Sequence, residues 1–193
     1  MSSQEPEFRS EKDLASVFSS EACIRQGFRY SGWSSWERDE LEGLFGIPDR
    51  IAVFWKNDAL GRRIVRTFAF EVKRHHWKRA LMQAYRYASF ADYSFVVLDH
   101  AYVHRAVAGL SHFERANIGL LSVRLDGNVL WHLRPKHRKP YSEHMTHLLR
   151  AALDVHLFGE DDRRPNSNRA SETILRVSFK QIPIVTRPHT IAL

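Results

Sequence analysis

Two short elements carry the chemistry in this chain: Pro48-Asp49, and the triplet Glu71-Val72-Lys73 one predicted hairpin later. Side chains alternate along an extended strand, so Glu71 and Lys73 share a face while Val72 points into the layer behind. If the two strands pair antiparallel, Asp49 at the start of one meets Glu71 at the end of the other. Two carboxylates and an ammonium then converge, an arrangement suited to phosphodiester hydrolysis. Hard oxygen ligands from Asp49 and Glu71, with the Val72 carbonyl completing the shell, hold Mg²⁺, for which Mn²⁺ substitutes. The metal draws charge from the phosphate and makes a water easier to deprotonate. Lys73 orients that water or stabilises the charge that develops on phosphorus.

Taken singly, Pro-Asp is a common turn dipeptide and Glu-x-Lys a common surface pairing on an edge strand. Their combination against very apolar strands is what points to a site. Pro48-Asp49 followed by Glu71-Val72-Lys73 resembles the PD-(D/E)XK nuclease signature, with Glu in the D/E slot. Gln83-Ala84-Tyr85-Arg86-Tyr87 is similar to the Q-x3-Y element of the RecB and lambda-exonuclease branch, and the buried strand ADYSFVV also has a counterpart there. The resemblance covers roughly residues 11–125. It implies a restriction-endonuclease-like α/β core, a central mixed β-sheet flanked by helices, and a metal-dependent deoxyribonuclease. Asp49 and Glu71 become metal ligands, Lys73 the catalytic lysine, and Gln83 and Tyr87 supporting site residues.

Members of that family often add an acidic residue from the first helix. Glu21 is expected there, with Glu11, or Glu40 and Glu42, as alternatives. The rival readings are a non-catalytic DNA-binding or complex-forming protein of the same fold, and a ribonuclease of the same chemistry.

A net charge of +7 favours a polyanionic partner, here DNA. The cations crowd two segments, with Arg74, His76, Lys78 and Arg79 in one and Lys136, Arg138 and Lys139 in the other. They either line one nucleic-acid groove or, for the second, form a solvated linker between prolines. Neighbouring His75 and His76 point in different directions and do not share a metal. His132, His144 and His147 read as surface histidines, and Trp33, Trp36 and Trp55 as base-stacking or core residues.

The elements that must position these residues are legible from periodicity. Residues 11–25 read as one amphipathic helix, 28–45 as a strand or hairpin, and 49–55 and 62–73 as strands joined by a turn. A helix is expected over 75–90, with Gln83 and Tyr87 on a face distinct from a buried Trp77, Leu81 and Ala84 stripe. A buried strand follows at 93–99 and a helix over about 100–115. Asp126-Gly127 marks a hairpin, and 141–158 reads as a last helix. The nuclease-like domain is expected over 1–158, with a polar linker and extension over 159–193.

No glycine-rich phosphate loop follows a strand, so a dinucleotide fold is not expected. Nor does any apolar run reach membrane-spanning length, and the N-terminus lacks a secretory stretch, so a cytoplasmic protein without membrane contact is expected. The single Cys23 excludes an internal disulfide and a thiolate zinc site. The oligomeric state stays open, a homodimer included.

Overall fold

A computed structural model describes residues 6–40 and 46–153. The elements run α1 (Glu11–Val17), α2 (Ser20–Gly27), β1 (Ser34–Asp39), β2 (Arg50–Asn57), β3 (Arg63–Lys73), α3 (Trp77–Tyr87) and β4 (Tyr93–Asp99). A 3-10 turn (His100–Tyr102), α4 (His104–Ala108), α5 (Leu110–Ala116), β5 (Gly119–Val123), β6 (Val129–Leu133) and α6 (Glu143–Leu153) complete them. The fold is α/β, a six-stranded mixed sheet in the order β1 to β6 with helices on both faces. β1, β2 and β3 pair antiparallel, β3, β4 and β5 pair parallel, and β6 returns antiparallel to β5.

Strand alternation divides the core. Ala52, Phe54, Phe68, Phe70 and Val72 face α1 and α2, where Leu14, Phe18, Cys23 and Ile24 cover them. Ile51, Val53 and Ala69 face the other way, against Ala80, Ala84 and Tyr87 of α3, with Phe113 and Leu149 in the same cluster. β4 is buried along its whole length, as its unbroken apolar run requires.

Residues 11–25 are two helices, not one. Phe18 leaves α1 in an extended conformation, and the Ser19 hydroxyl accepts a hydrogen bond from the Ala22 N–H to cap α2. A serine in that role satisfies one of the orphan donors of a helix start, so Ser19 restarts the helix where periodicity alone runs through. Arg50 braces the break: its Nη2 donates to the Ala15 carbonyl at 3.2 Å, its Nη1 to the Phe18 carbonyl, and its Nε pairs with Asp39 at 2.5 Å.

The expected helix over 100–115 is also divided, at Gly109. A Cβ there would stand 2.7 Å from the Trp77 ring, so the close approach of α3 demands glycine. The two turns follow their sequence cues. Asp58 accepts from the Leu60 and Arg62 backbone N–H groups between β2 and β3, and Gly127 takes φ +82 between β5 and β6. Among the described residues of the 28–45 stretch, only Ser34–Asp39 pairs as a strand, while Phe28 enters an aromatic cluster with Phe68, Tyr93 and Trp131.

The segment before α1 is tied to the far side of the chain. The Phe8 N–H donates to the Asp99 carboxylate at 2.8 Å, and the same buried carboxylate accepts from the Ala101 N–H at 3.1 Å. The tail of the expected 141–158 helix, and the linker and extension over 159–193, lie outside the described residues.

Candidate active site at the carboxyl end of β3

β2 and β3 pair with Arg50 opposite Phe70, so the next step of the register sets Asp49 against Glu71. Ile51 and Val53 lie on the α3 face, and Asp49, Glu71 and Lys73 continue that alternation. The three side chains meet there. Asp49 Oδ2 accepts from the Val72 N–H at 2.7 Å and from Lys73 Nζ at 3.1 Å. Lys73 Nζ also donates to the Val72 carbonyl at 3.0 Å and stands 2.7 Å from Glu71 Oε1. Glu11 Oε2, from the first turn of α1, is 3.7 Å from the same nitrogen.

Glu71 is 1% exposed, and only its Oε2 has a directed hydrogen-bond donor, the Tyr87 hydroxyl. Oε1 has the ammonium as an ion-pair neighbour without a well-aligned hydrogen bond. Burial raises the Glu71 carboxyl above its ordinary range, the Asp49 charge adds to the rise, and Lys73 and Tyr87 offset part of it. Burial works against the Lys73 ammonium, but its close pairing with Glu71 and the field of Asp49 outweigh it, so its net shift is upward. Burial and the Glu71 carboxylate push the Tyr87 phenol up.

These oxygens fit a hard divalent ion. Asp49, Glu71 and the Val72 carbonyl all lie within 3.1 Å of one cationic nitrogen, and Glu71 Oε1 keeps a buried lone pair without a directed donor. Among the described residues no group of three or more His, Cys, Asp or Glu is gathered as a metal cage. The donor set here is two carboxylates and a main-chain carbonyl, and a metal would take it from the ammonium.

Of the acids considered for the extra position, Glu11 is brought to the group and Glu21 is not. Glu21 Oε1 accepts from Ser35 at 2.7 Å and pairs with Arg25 at 2.9 Å. Ser35 lies opposite Phe54, five residues up β2 from Asp49, roughly 16 Å away at strand spacing. The break at Phe18 is the cause, because the restarted helix no longer continues the α1 face. Glu40 donates its backbone N–H to the Asp49 carbonyl at 3.3 Å with an exposed side chain, and Glu42 lies outside the described residues.

Tyr87 departs from its expected face. It is 1% exposed and packs in the core beside Ala80 and Ala84, while Trp77 and Leu81 are only partly buried. Its hydroxyl reaches Glu71 and the Ile47 carbonyl, the latter at 3.1 Å. Gln83, one turn earlier, has a buried Oε1 without a hydrogen-bond donor.

The two basic segments lie at opposite ends of β4. Arg74, His76, Lys78 and Arg79 follow the carboxyl end of β3, level with Leu98. Lys136, Arg138 and Lys139 lie at the other end of β4, where the Arg138 N–H donates to the Asp92 carbonyl at 3.4 Å. Seven residues of strand, roughly 20 Å, separate the two ends. Arg74 is spent within the fold on the Arg9 carbonyl and Glu7. Arg138 is turned inward, its Nη1 on the Ala116 carbonyl at 3.2 Å. His76, Lys78, Arg79, Lys136 and Lys139 are exposed.

Trp33, Trp36 and Trp55 are partly buried against the core. His132 is not a simple surface histidine: Ser122 Oγ lies 2.8 Å from its Nε2 and 2.9 Å from His100 Nδ1. The spacing of these three residues across two strands and a turn gives no motif to read.

No helix among the described residues is long and apolar enough to cross a membrane. Compared with known proteins, the chain matches no family model, no curated protein and no solved structure.

Proposed function

We propose that this protein is a metal-dependent deoxyribonuclease of the PD-(D/E)XK type. The observation that carries the reading is the convergence of Asp49, Glu71 and the Val72 carbonyl on the Lys73 ammonium, on elements in the order that the signature prescribes. Asp49, Glu71 and the Val72 carbonyl would hold Mg²⁺ or Mn²⁺, with Glu11 beside them at the solvent side. When bound, the metal supplies charge for the phosphate and a more acidic water. Lys73 is the donor aimed at the reacting phosphate once carboxylate charge is shared with the metal. Tyr87 holds Glu71 Oε2 so that Oε1 faces the ammonium. Its hydroxyl also shields that oxygen from water.

DNA is the substrate this reading takes, in keeping with the net charge of +7. A cytoplasmic setting suits both a nucleic-acid substrate and the buried free thiol of Cys23, which burial pushes up to about 12.

Matched labelled DNA and RNA, incubated with Mg²⁺, with Mn²⁺ and with chelator, test the proposal. Metal-dependent DNA cutting that is lost in Asp49→Ala, Glu71→Ala and Lys73→Ala is the expected result. Cutting undiminished by chelator, or retained in all three variants, overturns it. Cutting of RNA alone moves the assignment to a ribonuclease.

A further inference from the structure

We propose that the outer face of α3 is a platform for an unpaired nucleic-acid strand, whose bases stack on Tyr85 and Tyr141. The inference rests on the reading that the protein acts on nucleic acid and names the form of substrate that reaches it.

Large apolar side chains are exposed here side by side. Met82 is 66% exposed, Tyr85 51% and Tyr141 60%. Tyr141 is held in place against the end of α3: its N–H donates to the Ala88 carbonyl at 3.3 Å and its hydroxyl to the Tyr85 carbonyl at 3.4 Å. The next residue repeats the tie, with the Ser142 N–H on the Ser89 carbonyl at 3.1 Å. The Tyr141 ring, tied at its hydroxyl, loses little conformational freedom when a base settles on it.

Charge on the same helix favours a polyanion. α3 contains Lys78, Arg79 and Arg86 and no Asp or Glu. Lys78 and Arg79 lie in its first turn, where the helix dipole disfavours cations, and His76 provides no side-chain cap. Beside that turn lies a cavity of about 310 Å³ lined by His75, His76, Trp77, Lys78, Arg79 and Arg105. At the other end of α3, Lys139 is exposed two residues before Tyr141.

The helix therefore joins the two basic segments that the sheet separates. Its 11 residues span about 16 Å between them. Phosphates following Lys78 and Arg79 toward Lys139 carry bases past Tyr85 and Tyr141. A duplex keeps its bases stacked inside and offers such rings only backbone, so the surface selects an unpaired strand.

The test is fluorescence anisotropy of the full chain in chelator, with labelled oligo-dT, an abasic oligonucleotide of equal length and a duplex. Wild-type protein is expected to bind oligo-dT about tenfold or more tighter than the abasic strand, the scale of base stacking on aromatic rings. Tyr85→Ala combined with Tyr141→Ala should bring that ratio to within about twofold while leaving abasic and duplex binding unchanged, and the paired Phe variants should restore it. Equal binding of oligo-dT and the abasic strand by wild-type protein, or an equal loss on all three ligands, overturns the proposal. So does a change in self-association without a change in oligo-dT binding, which would make the face a contact between copies. Because no metal is present, base-dependent binding without any cutting in Mg²⁺ would retain the platform and sink the nuclease reading, and cutting without base-dependent binding would do the reverse.

Discussion

The Lys73 ammonium stands 2.7 Å from Glu71 Oε1, so a cation belonging to the chain already sits among the oxygens that a divalent ion would take. Under the proposed function, lysine and metal would compete for one place. Replacing Lys73 by Met removes the competitor and a like charge, and Mn²⁺ should bind about tenfold tighter while cutting is lost. Glu71→Ala should weaken Mn²⁺ binding instead, because a hard ion held by few protein oxygens loses a carboxylate. Calorimetric titration of both variants beside wild type distinguishes the two effects. Equal Mn²⁺ affinity in wild type and Lys73→Met would show that the ammonium does not occupy the metal position.

The Glu71 carboxyl, raised above its ordinary value of 4.5 chiefly by burial, makes stability depend on pH. The folded protein holds this proton more tightly than the unfolded chain, so its contribution is fully present below 4.5 and is lost as pH rises through the folded value. Glu71→Gln should therefore melt above wild type at pH 8 and together with it at pH 4. Thermal unfolding at the two pH values checks this, and a variant that melts lower at pH 8 contradicts the assigned cause.

Tyr87→Phe removes the directed donor to Glu71 Oε2 and keeps the ring in the core. Leaving a buried carboxylate oxygen without its donor costs about 1–3 kcal/mol. Denaturant unfolding measures the loss. Retained stability would mean that the Glu71 oxygen finds water or another donor when the phenol is gone.

Gly119 opens β5 where a Cβ would fall 2.2 Å from the Phe95 ring. Phe95 cannot retreat, because it stacks on Phe70 at 5.0 Å in the middle of the aromatic layer. Gly119→Ala should destabilise the protein by about 1–3 kcal/mol through overpacking, read as a lower denaturation midpoint. An unchanged midpoint would show that the layer can shift to admit a methyl group.

The succession of elements along the chain, the antiparallel β2–β3 pair and the meeting of Asp49, Glu71 and Lys73 follow from alternation and turn chemistry visible in the sequence. The apolar spacing continues through Phe18 and so carries Glu21 onto the site face, while the interruption that removes it depends on a cap at Ser19 and on Arg50 holding the end of α1. Its signal was present as a serine pair inside a helical pattern. Tyr87 is legible on closer spacing: it follows Ala84 by three residues and Ala80 by seven, so the helical repeat puts it on their buried face, and its four-residue step from Gln83 does not remove it from that face. The distance between the basic segments depends on where the 134–140 chain returns to Asp92, a long-range bond with no local mark.

The bond from the Phe8 N–H to the Asp99 carboxylate has a consequence for the order of events in folding. The residues it joins are 91 positions apart in sequence, so it closes a loop that cannot form until β4 has been made and placed. Glu11 follows Phe8 by three residues and enters the site on that anchored segment. The hairpin carrying Asp49, Glu71 and Lys73 closes over far shorter separations and already seats α1 through Arg50 and Phe70, so the bond from Phe8 to Asp99 comes last and fixes only the segment upstream of Glu11.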